Sequence, residues 1–562
     1  MSHRILLSLT VCIGGLFSGV NTRAEDYLLT IGGGYGPTSN QLSLERNVVF
    51  QQKVLASVRP DRPRHDVFFA DGDDESPDLQ CQDPDFERTC PPARRMMAEL
   101  FGDAEAMDLY YRNHEIGGLK GPSEKRLLRR HLRDLSRDLQ PGDRLLVYVT
   151  GHGGAAEGSH GADDEYDYEW DERTETWKAK SEDEKSEHEH NQYDTTFYVW
   201  DSDSISASEF ATWLDRLHPE VQAILVMVQC HAGGFAHTIF QQADAQLGLA
   251  PHARCGFFAQ LHDRGAAGCT ADANEADYEE YSSYFWSALG GRSRVGEKIE
   301  SADYDGNGQV SFAEAHAYAI IESDTIDVPV CTTDALLRRY SRLSNRSRRS
   351  RDSEEAATDP FGQFVSAFTS ANREAGDEEF LQVKGPLAKL AETARPAQRA
   401  ILERLPAKLN LDSNPTVENV KRRLKQVESR MNAANAKLQA AHQTESRTLD
   451  RVQEEVREIW PELHADYHPL AGALTSERGD EFSGQVESLS AYKSLAKAKE
   501  RVEESSEERM KLAREEARLQ RLLAACEHVV LAANLPRVAP REIVERYEQL
   551  VAMEEGTLAA AD

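Results

Sequence analysis

The chain has 562 residues and a formal net charge of -31, and at roughly 100–200 residues per domain this length predicts two to four folded units. Phosphate backbones and anionic membranes attract concentrated Lys and Arg, whereas 96 Asp and Glu outnumber 65 Lys and Arg here. Nucleic acid is therefore excluded as the main partner.

The first 24 residues have the organisation of a signal peptide. A basic start is followed by an apolar run from Ile5 to Phe17 and by the small residues Thr22 and Ala24 before Glu25. The run is too short to span a bilayer, and no later segment reaches about 18 apolar residues. We therefore predict an exported protein, periplasmic or secreted, with residues 1–24 removed and no membrane span.

Removal of the signal peptide leaves an odd number of cysteines: Cys81, Cys90, Cys230, Cys255, Cys269, Cys331 and Cys526. In an oxidising compartment most cysteines are expected to pair, with at least one free thiol. Cys81 can close a short loop with Cys90, and Cys255 and Cys269 are a second possible pair. The connectivity does not follow from the sequence.

Residues 25–343 are predicted to form one α/β domain. Its strand-like runs are DYLLTIGGG, HDVFFADGDD, DRLLVYVTGHGG, TTFYVWDS, AILVMVQCHAGG and ARCGFFAQL. Its helix-like segments are SLERNVVFQQKVL, SEKRLLRRHLRDL and SASEFATWLDRL, the last capped by Ser206 with Glu209 or by Ser208 itself. Strands that are apolar on both faces and alternate with helices predict a mostly parallel sheet sandwiched by helices.

Two segments interrupt this pattern. Residues 157–194 form an acidic insertion with little periodicity, which predicts a solvated loop or, alternatively, a lid or cation site beside His152. Residues 344–375 are predicted to be a linker. Its arginines between Arg346 and Arg351 mark either a processing site or an ordinary exposed linker.

Residues 376–562 are predicted to form an all-α coiled-coil hairpin region. One apolar seam repeats every three or four residues: Val417, Val420, Leu424, Val427, Met431, Ala434, Leu438 and Ala441. A second seam follows a Pro- and Gly-containing break: Leu495, Ala498, Val502, Leu512, Leu519, Leu523, Cys526 and Val530. The two helices are expected to pack as an antiparallel hairpin, which can bind a coiled-coil partner or dock on the chain itself.

Two residues that can carry covalent chemistry each follow an apolar strand-like run. His152 precedes two glycines, and Cys230 is followed by His231, Ala232 and two glycines. Ligands in open α/β sheets bind beyond the carboxyl ends of strands. A thiol nucleophile needs a neighbouring base, and backbone N–H groups must face the developing oxyanion. We predict Cys230 as nucleophile, His152 as base, and the N–H groups of Gly153 and Cys230 as the oxyanion site.

These motifs resemble the caspase-like cysteine peptidases, the group of caspases, legumains and gingipains, and most closely the legumains. The resemblance rests on LLVYVTGHGG and ILVMVQCHAGGF, with support from IGGGYGPTSN and FADGDDESP, and covers roughly residues 26–290. Gln229 before the nucleophile also resembles caspases. The resemblance implies hydrolysis of peptide bonds through a thioester, with no cofactor for the chemistry.

The resemblance does not imply a preference for asparagine. The positions that would carry the charged groups of the legumain specificity pocket fall near Ser43 and around Tyr284, and neither is charged. For a residue that orients His152, Asn40 and Gln41 lie in the right region. His231 is a further imidazole beside the nucleophile.

A second motif predicts a calcium site at residues 303–314. An EF-hand loop needs oxygen ligands at positions one, three, five, seven, nine and twelve and a glycine at position six, which is Gly308 here. The ligands are then Asp303, Asp305, Asn307, Gln309 through its carbonyl, Ser311 and Glu314. A structural or regulatory Ca²⁺ is expected. The sequence thus predicts an exported cysteine endopeptidase with bound calcium, or alternatively a calcium-binding scaffold on a catalytically weak caspase-like domain.

Overall fold

A computed structural model describes residues 25–157, 168–171, 176–179, 191–341, 380–464 and 469–558. The predicted signal peptide and linker lie outside the described residues. Among the described residues, no helix has both the length and the apolar character needed to cross a bilayer.

The strands are β1 Asp26–Gly32, β2 Arg64–Phe69, β3 Leu79–Gln82, β4 Leu109–Arg112, β5 Arg144–Thr150, β6 Gly153–Gly154, β7 Tyr168–Asp171, β8 Thr176–Ala179, β9 Thr196–Val199, β10 Asp203–Ser206, β11 Gln222–Met227, β12 Arg254–Phe258 and β13 Val330–Cys331. The α-helices are α1 Leu42–Val58, α2 Phe86–Thr89, α3 Pro92–Phe101, α4 Lys125–Asp138, α5 Ala207–Leu214, α6 Tyr281–Gly290, α7 Phe312–Glu322, α8 Thr332–Tyr340, α9 Leu387–Ala391, α10 Pro396–Lys408, α11 Val417–Ile459, α12 Pro469–Leu474, α13 Gly479–Ser488, α14 Ser490–Val538 and α15 Arg541–Glu554.

The central sheet has six strands in the order β13-β12-β11-β5-β1-β2. All neighbours are parallel except β12 and β13. Consecutive residues of β1, from Tyr27 to Gly32, are buried, so both faces of the sheet are covered. This confirms the predicted α/β class with a mostly parallel sheet.

The carboxyl ends of three central strands meet where the strand order reverses. The chain passes from β1 to β2 on one side, whereas β5 and then β11 lie on the other side of β1. The loops after β1, β5 and β11 therefore converge at this edge, which is where open α/β sheets bind ligands.

The segment TTFYVWDS is a strand, but it does not belong to the central sheet. It forms β9 of a small antiparallel sheet with β6 and β10. Helix α5 then begins with Ser206 as its cap, reciprocally bonded to Glu209 as the sequence predicts. Within the acidic insertion, β7 and β8 pair as an antiparallel hairpin, so a prediction of loop alone was incomplete.

In the carboxyl-terminal part, helices α11 and α14 pack against each other in antiparallel directions. Arg423 pairs with Glu515, whereas Lys437, further along α11, pairs with Glu508, earlier in α14. Val417 and Val420 of the first seam share a buried cluster with Leu519 of the second. The apolar seams are therefore where the two helices meet.

The end of the chain packs on the α/β layer. Leu531 at the end of α14 and Leu550 of α15 share a buried cluster with strands β5 and β11. Arg144 at the start of β5 donates to the carbonyl of Thr557 at 2.8 Å. The carboxyl-terminal helices thus contribute directly to the core around the sheet.

The seven cysteines after the predicted cleavage point are free thiols. Cys255 is buried in β12 and Cys81 is buried in β3, while Cys269 and Cys90 lie in the loops that follow. Neither of the two possible pairings, Cys81–Cys90 or Cys255–Cys269, is formed in the structure, and Cys255 and Cys81 each belong to a buried apolar cluster.

Candidate active site

The turns that carry His152 and Cys230 touch each other. Strands β5 and β11 are parallel neighbours, and Val149 lies opposite Met227. His152 is the third residue after Val149, and Cys230 is the third residue after Met227. A Cβ added to Gly153 would lie 2.0 Å from the Cys230 carbonyl oxygen. Only glycine permits this approach, and the three predicted site residues are therefore brought together.

The imidazole of His152 is held through one ring nitrogen. Its Nε2 lies 2.8 Å from the carbonyl oxygen of Ser39 and 3.0 Å from Oε1 of Gln41, and the edge of the Tyr35 ring packs against it. A carbonyl oxygen only accepts hydrogen bonds, so Nε2 carries the proton and Nδ1 keeps its lone pair. This arrangement leaves Nδ1 as the basic atom.

Of the two residues predicted to orient His152, the structure selects Gln41. The side chain of Asn40 turns the other way: its Oδ1 accepts from the Gly34 N–H, and its Nδ2 donates to the carbonyl of Asp78. Asn40 thus ties the loop after β1 to the loop before β3. Ser39 contributes through its backbone, which no side-chain pattern reveals.

The sulfur of Cys230 is covered by the loop 264–267. The Ala266 N–H donates to Sγ at 3.2 Å, and a Cβ on Gly265 would lie 3.6 Å from Sγ. A backbone N–H aimed at sulfur stabilises the thiolate. Burial nevertheless raises the pKa of Cys230. The hydrogen bond from Ala266 lowers this pKa and the Asp327 carboxylate raises it, and the net shift is upward.

Burial also sets the resting protonation of His152. It lowers the pKa of His152, and the bond to Ser39 only partly opposes this shift. With the pKa of Cys230 raised and that of His152 lowered, the thiol and the imidazole are both neutral at rest. If Cys230 acts as a nucleophile, its thiol would have to lose its proton during the attack.

Two neighbours of the nucleophile have different environments. His231 adopts a left-handed backbone with φ 59°, and its Nδ1 contacts the carbonyl of His262 at 2.8 Å. Both polar atoms of the Gln229 side chain are buried and have no hydrogen-bond partner among the described residues. Unsatisfied buried groups of this kind are rare in native proteins, and Gln229 is only 1% exposed.

Ser43 and Tyr284, the positions of the legumain-type pocket, serve other contacts. The Ser43 side chain is buried, and its Oγ accepts from the Thr270 N–H at 2.9 Å. The Tyr284 hydroxyl donates to Glu279. Ser43 thus joins α1 to the chain at Thr270, just after the segment 264–267 that covers Cys230.

Asp327 and Arg521 support the loop 264–267 that covers Cys230, and the sequence pattern indicated neither residue. Asp327 is buried, and its Oδ1 accepts from the Ala267 N–H at 2.7 Å, next to the amide that contacts Cys230. Arg521 of α14 is 2% exposed and donates to the carbonyl oxygens of Ile320, Ser323, Thr325 and Asp327. Helix α14 therefore holds the segment that positions the loop over the thiol.

The predicted calcium loop brings three of its carboxylates together. Ligand oxygens of Asp303, Asp305 and Glu314 all lie within 4.8 Å of one another. Gly306 and Gly308 have φ of 75° and 87°, which allows the tight turn. Asp303 accepts from the N–H groups of Gly306 and Gly308 at 2.8 and 3.0 Å. The oxygen donors fit a hard divalent cation such as Ca²⁺.

The other predicted ligands lie in the same loop. The Asn307 side chain bonds to Asp305 and to the Gln309 N–H. Ser311 caps α7 reciprocally with Glu314. The loop differs from a paired EF-hand, because α6 ends at Gly290 and Ser311 forms a β-bridge with Thr557 near the end of the described chain.

Comparisons with known proteins do not assign this chain to a family. No family model matches it, and no curated protein matches it. A crystal structure of a protein from Geobacter sulfurreducens, a structural-genomics target, aligns over 53% of this chain and 88% of its own at 10% identity and a TM-score of 0.26. A similarity this low supports no statement about fold or function.

Proposed function

We propose that this chain is an exported cysteine endopeptidase with a caspase-like peptidase domain. The observation that carries the proposal is the contact between the turns after β5 and β11, which places the His152-Gly153 backbone against Cys230. A base with a free Nδ1, a thiol and nearby N–H donors are the groups that acyl transfer through a thioester requires.

Each group has one role in the proposed reaction. The Cys230 sulfur attacks the substrate carbonyl while its proton passes to Nδ1 of His152. His152 then gives that proton to the leaving amine, a thioester forms, and water releases the acid in the reverse sequence. The Tyr198 N–H bonds to the His152 carbonyl, so the alternating ladder directs the Gly153 N–H away from β9 and leaves it unpaired with that strand. The amides of Gly153 and Cys230 would bind the oxyanion.

Labelling with a peptidyl electrophile tests this proposal. In calcium-loaded protein cleaved at the linker, mass spectrometry is expected to find the probe on Cys230, and C230A should remain unlabelled. C90A is the matched control, because Cys90 is a partly exposed thiol outside the site. Absence of labelling, or equal labelling of C230A, would contradict the proposal.

One observation favours a second function, that of a calcium-binding scaffold whose thiol is weak. The loop 264–267 lies over Sγ, and burial raises the pKa of Cys230. In that case the protein would bind calcium and partners without turnover. The same labelling experiment separates the two functions, since a scaffold would leave Cys230 unmodified by the peptidyl probe.

We further propose that the loop 303–314 binds Ca²⁺ and supports the active site. Helix α7 begins in this loop and ends at Glu322, directly before the segment that carries Asp327. An ordered calcium loop would therefore fix the start of the chain segment that holds the Cys230 loop.

Calcium is expected to raise the stability of the wild type and not that of E314Q. At calcium concentrations well above Kd, binding should add about 1–3 kcal/mol. The measurement is thermal unfolding with calcium or with a chelator. E297Q, which changes an exposed glutamate outside the loop, should respond like the wild type. An equal calcium response in E314Q would refute the site.

The remaining parts of the proposal concern the ends of the chain. Export would follow removal of residues 1–24, and the α11–α14 pair would act as a coiled-coil hairpin that docks on its own peptidase domain. The contacts of Arg521 with the segment 320–327 support the second point, because they join the hairpin to the active-site loop.

A further inference from the structure

A buried group of possible metal ligands lies outside the site described so far. Asp71, Asp78 and His114 each offer one ligand atom, and these atoms all lie within 4.8 Å of one another. The Nδ1 of His114 is 2.9 Å from Oδ2 of Asp78 and 4.0 Å from Oδ1 of Asp71. The side chains of Asp78 and His114 are 1% and 5% exposed.

The fold explains why these residues meet. Asp71 lies two residues after the end of β2, at the same edge of the central sheet as the proposed active site. Strands β3 and β4 form a hairpin with Leu79 opposite Arg112. Asp78 and His114 therefore lie at the same end of that hairpin, and the Asp78 N–H bonds to the Arg112 carbonyl at 3.1 Å.

Two buried oxygens in these segments lack donors. Oδ1 of Asp71 and Oδ1 of Asn113 have no hydrogen-bond partner among the described residues. A buried acceptor without a partner costs free energy unless a cation or water satisfies it. Asp78 already accepts from the His114 N–H and from Asn40, so the unsatisfied carboxylate oxygen is that of Asp71, 4.0 Å from Nδ1 of His114.

We propose that Asp71, Asp78 and His114 bind a divalent transition-metal ion, with Zn²⁺ as the ion that best fits. Zn²⁺ accepts both imidazole nitrogen and carboxylate oxygen as ligands, and a site with three protein ligands holds water in the fourth position. The imidazole favours such ions over Ca²⁺ and Mg²⁺, which prefer oxygen ligands alone. The site is therefore chemically distinct from the calcium loop.

The site also lies close to the support of the catalytic imidazole. Asp78 accepts from Asn40 through both its carbonyl oxygen and its Oδ2, at 3.0 and 3.2 Å. The residues on either side of Asn40, Ser39 and Gln41, are the ones that hold Nε2 of His152. A metal ion on Asp78 would therefore stabilise the loop after β1.

The test uses the full chain in an E314Q background, so that the calcium loop does not contribute. We expect Zn²⁺ to raise the Tm, and inductively coupled plasma mass spectrometry to find bound zinc. D71N and H114Q should bind Zn²⁺ more than about tenfold more weakly and lose the shift. D73N is the matched control, because Asp73 is an exposed neighbour with the same charge. A parallel titration with Ca²⁺ should give no shift.

The behaviour of D71N without metal separates this site from an ordinary ion pair. If His114 only forms ion pairs with the two aspartates, D71N relieves the repulsion between the two carboxylates. The variant then changes the Tm by the same amount with Zn²⁺ as with a chelator, and the zinc content of the protein stays unchanged. If the metal site exists, D71N lowers Tm relative to its parent with Zn²⁺ present but not with chelator. Zinc binding that is equal in D71N, H114Q and their parent would overturn the proposal.

Discussion

Replacement of Gly153 by alanine is expected to reduce peptide hydrolysis by at least about 10²–10³-fold, the loss typical of one oxyanion donor. The new Cβ would lie 2.0 Å from the Cys230 carbonyl oxygen and 2.7 Å from Cγ of Gln229. Because the first contact is with backbone, the two turns must separate, which moves the Gly153 N–H away from the nucleophile. The measurement is kcat/KM on a peptide found by substrate profiling, together with the rate of labelling by the peptidyl electrophile.

The neighbouring glycine provides the control for this prediction. A Cβ on Gly154 would meet the Tyr198 hydroxyl at 2.6 Å and Oγ1 of Thr196 at 2.9 Å, which are ends of side chains that can rotate. G154A should therefore retain far more activity than G153A. Circular dichroism and Tm must show that both variants fold. A folded G153A with wild-type labelling rate would show that the contact between the turns does not form the reactive site.

Replacement of Arg521 by methionine is expected to destabilise the protein by about 3–5 kcal/mol, the cost typical of breaking a buried charged network. Burial lowers the pKa of Arg521 to about 10, so the side chain remains charged at neutral pH. Its loss would leave the carbonyl oxygens of Ile320, Ser323 and Asp327 buried without these donors. Chemical denaturation with tryptophan fluorescence measures the change.

The same variant should also affect the active-site loop. The segment 320–327 carries Asp327, whose Oδ1 holds the Ala267 N–H, so its loosening should change the alkylation rate of Cys230. R514M is the control, because Arg514 is 43% exposed and forms only a 3.8 Å ion pair with Asp324. That variant should lose less than about 1 kcal/mol. If R521M were as stable as R514M, the proposed docking of α14 would be wrong.

Local patterns in the sequence predicted the elements that flank the site. The apolar runs before His152 and Cys230 form β5 and β11, and the capping pair Ser206 and Glu209 starts α5. The reason is physical: a run that is apolar at every position can be buried only between two covering layers. The clustering of Asp303, Asp305 and Glu314 was equally readable, since these residues lie within twelve consecutive positions.

Other features depended on contacts between distant residues. Asn40 and Gln41 are adjacent, and only the course of the loop after β1 decides that Gln41 faces His152. The strand β9 pairs with β6 and β10 because the chain leaves the central sheet after His152. The two possible cysteine pairs also do not form, since a short spacing along the chain does not by itself bring two sulfurs together.

By itself, the sequence determined the α/β class, the two strand ends that carry His152 and Cys230, and the cluster of carboxylates in the loop 303–314, because periodicity and short spacings express local geometry. Only the tertiary structure decided which side chains hold the imidazole, that Arg521 reaches segment 320–327, and that Asp71 and Asp78 meet His114. These contacts join residues up to 201 positions apart. The free energy of burying a charge depends on such partners, and no local pattern records them.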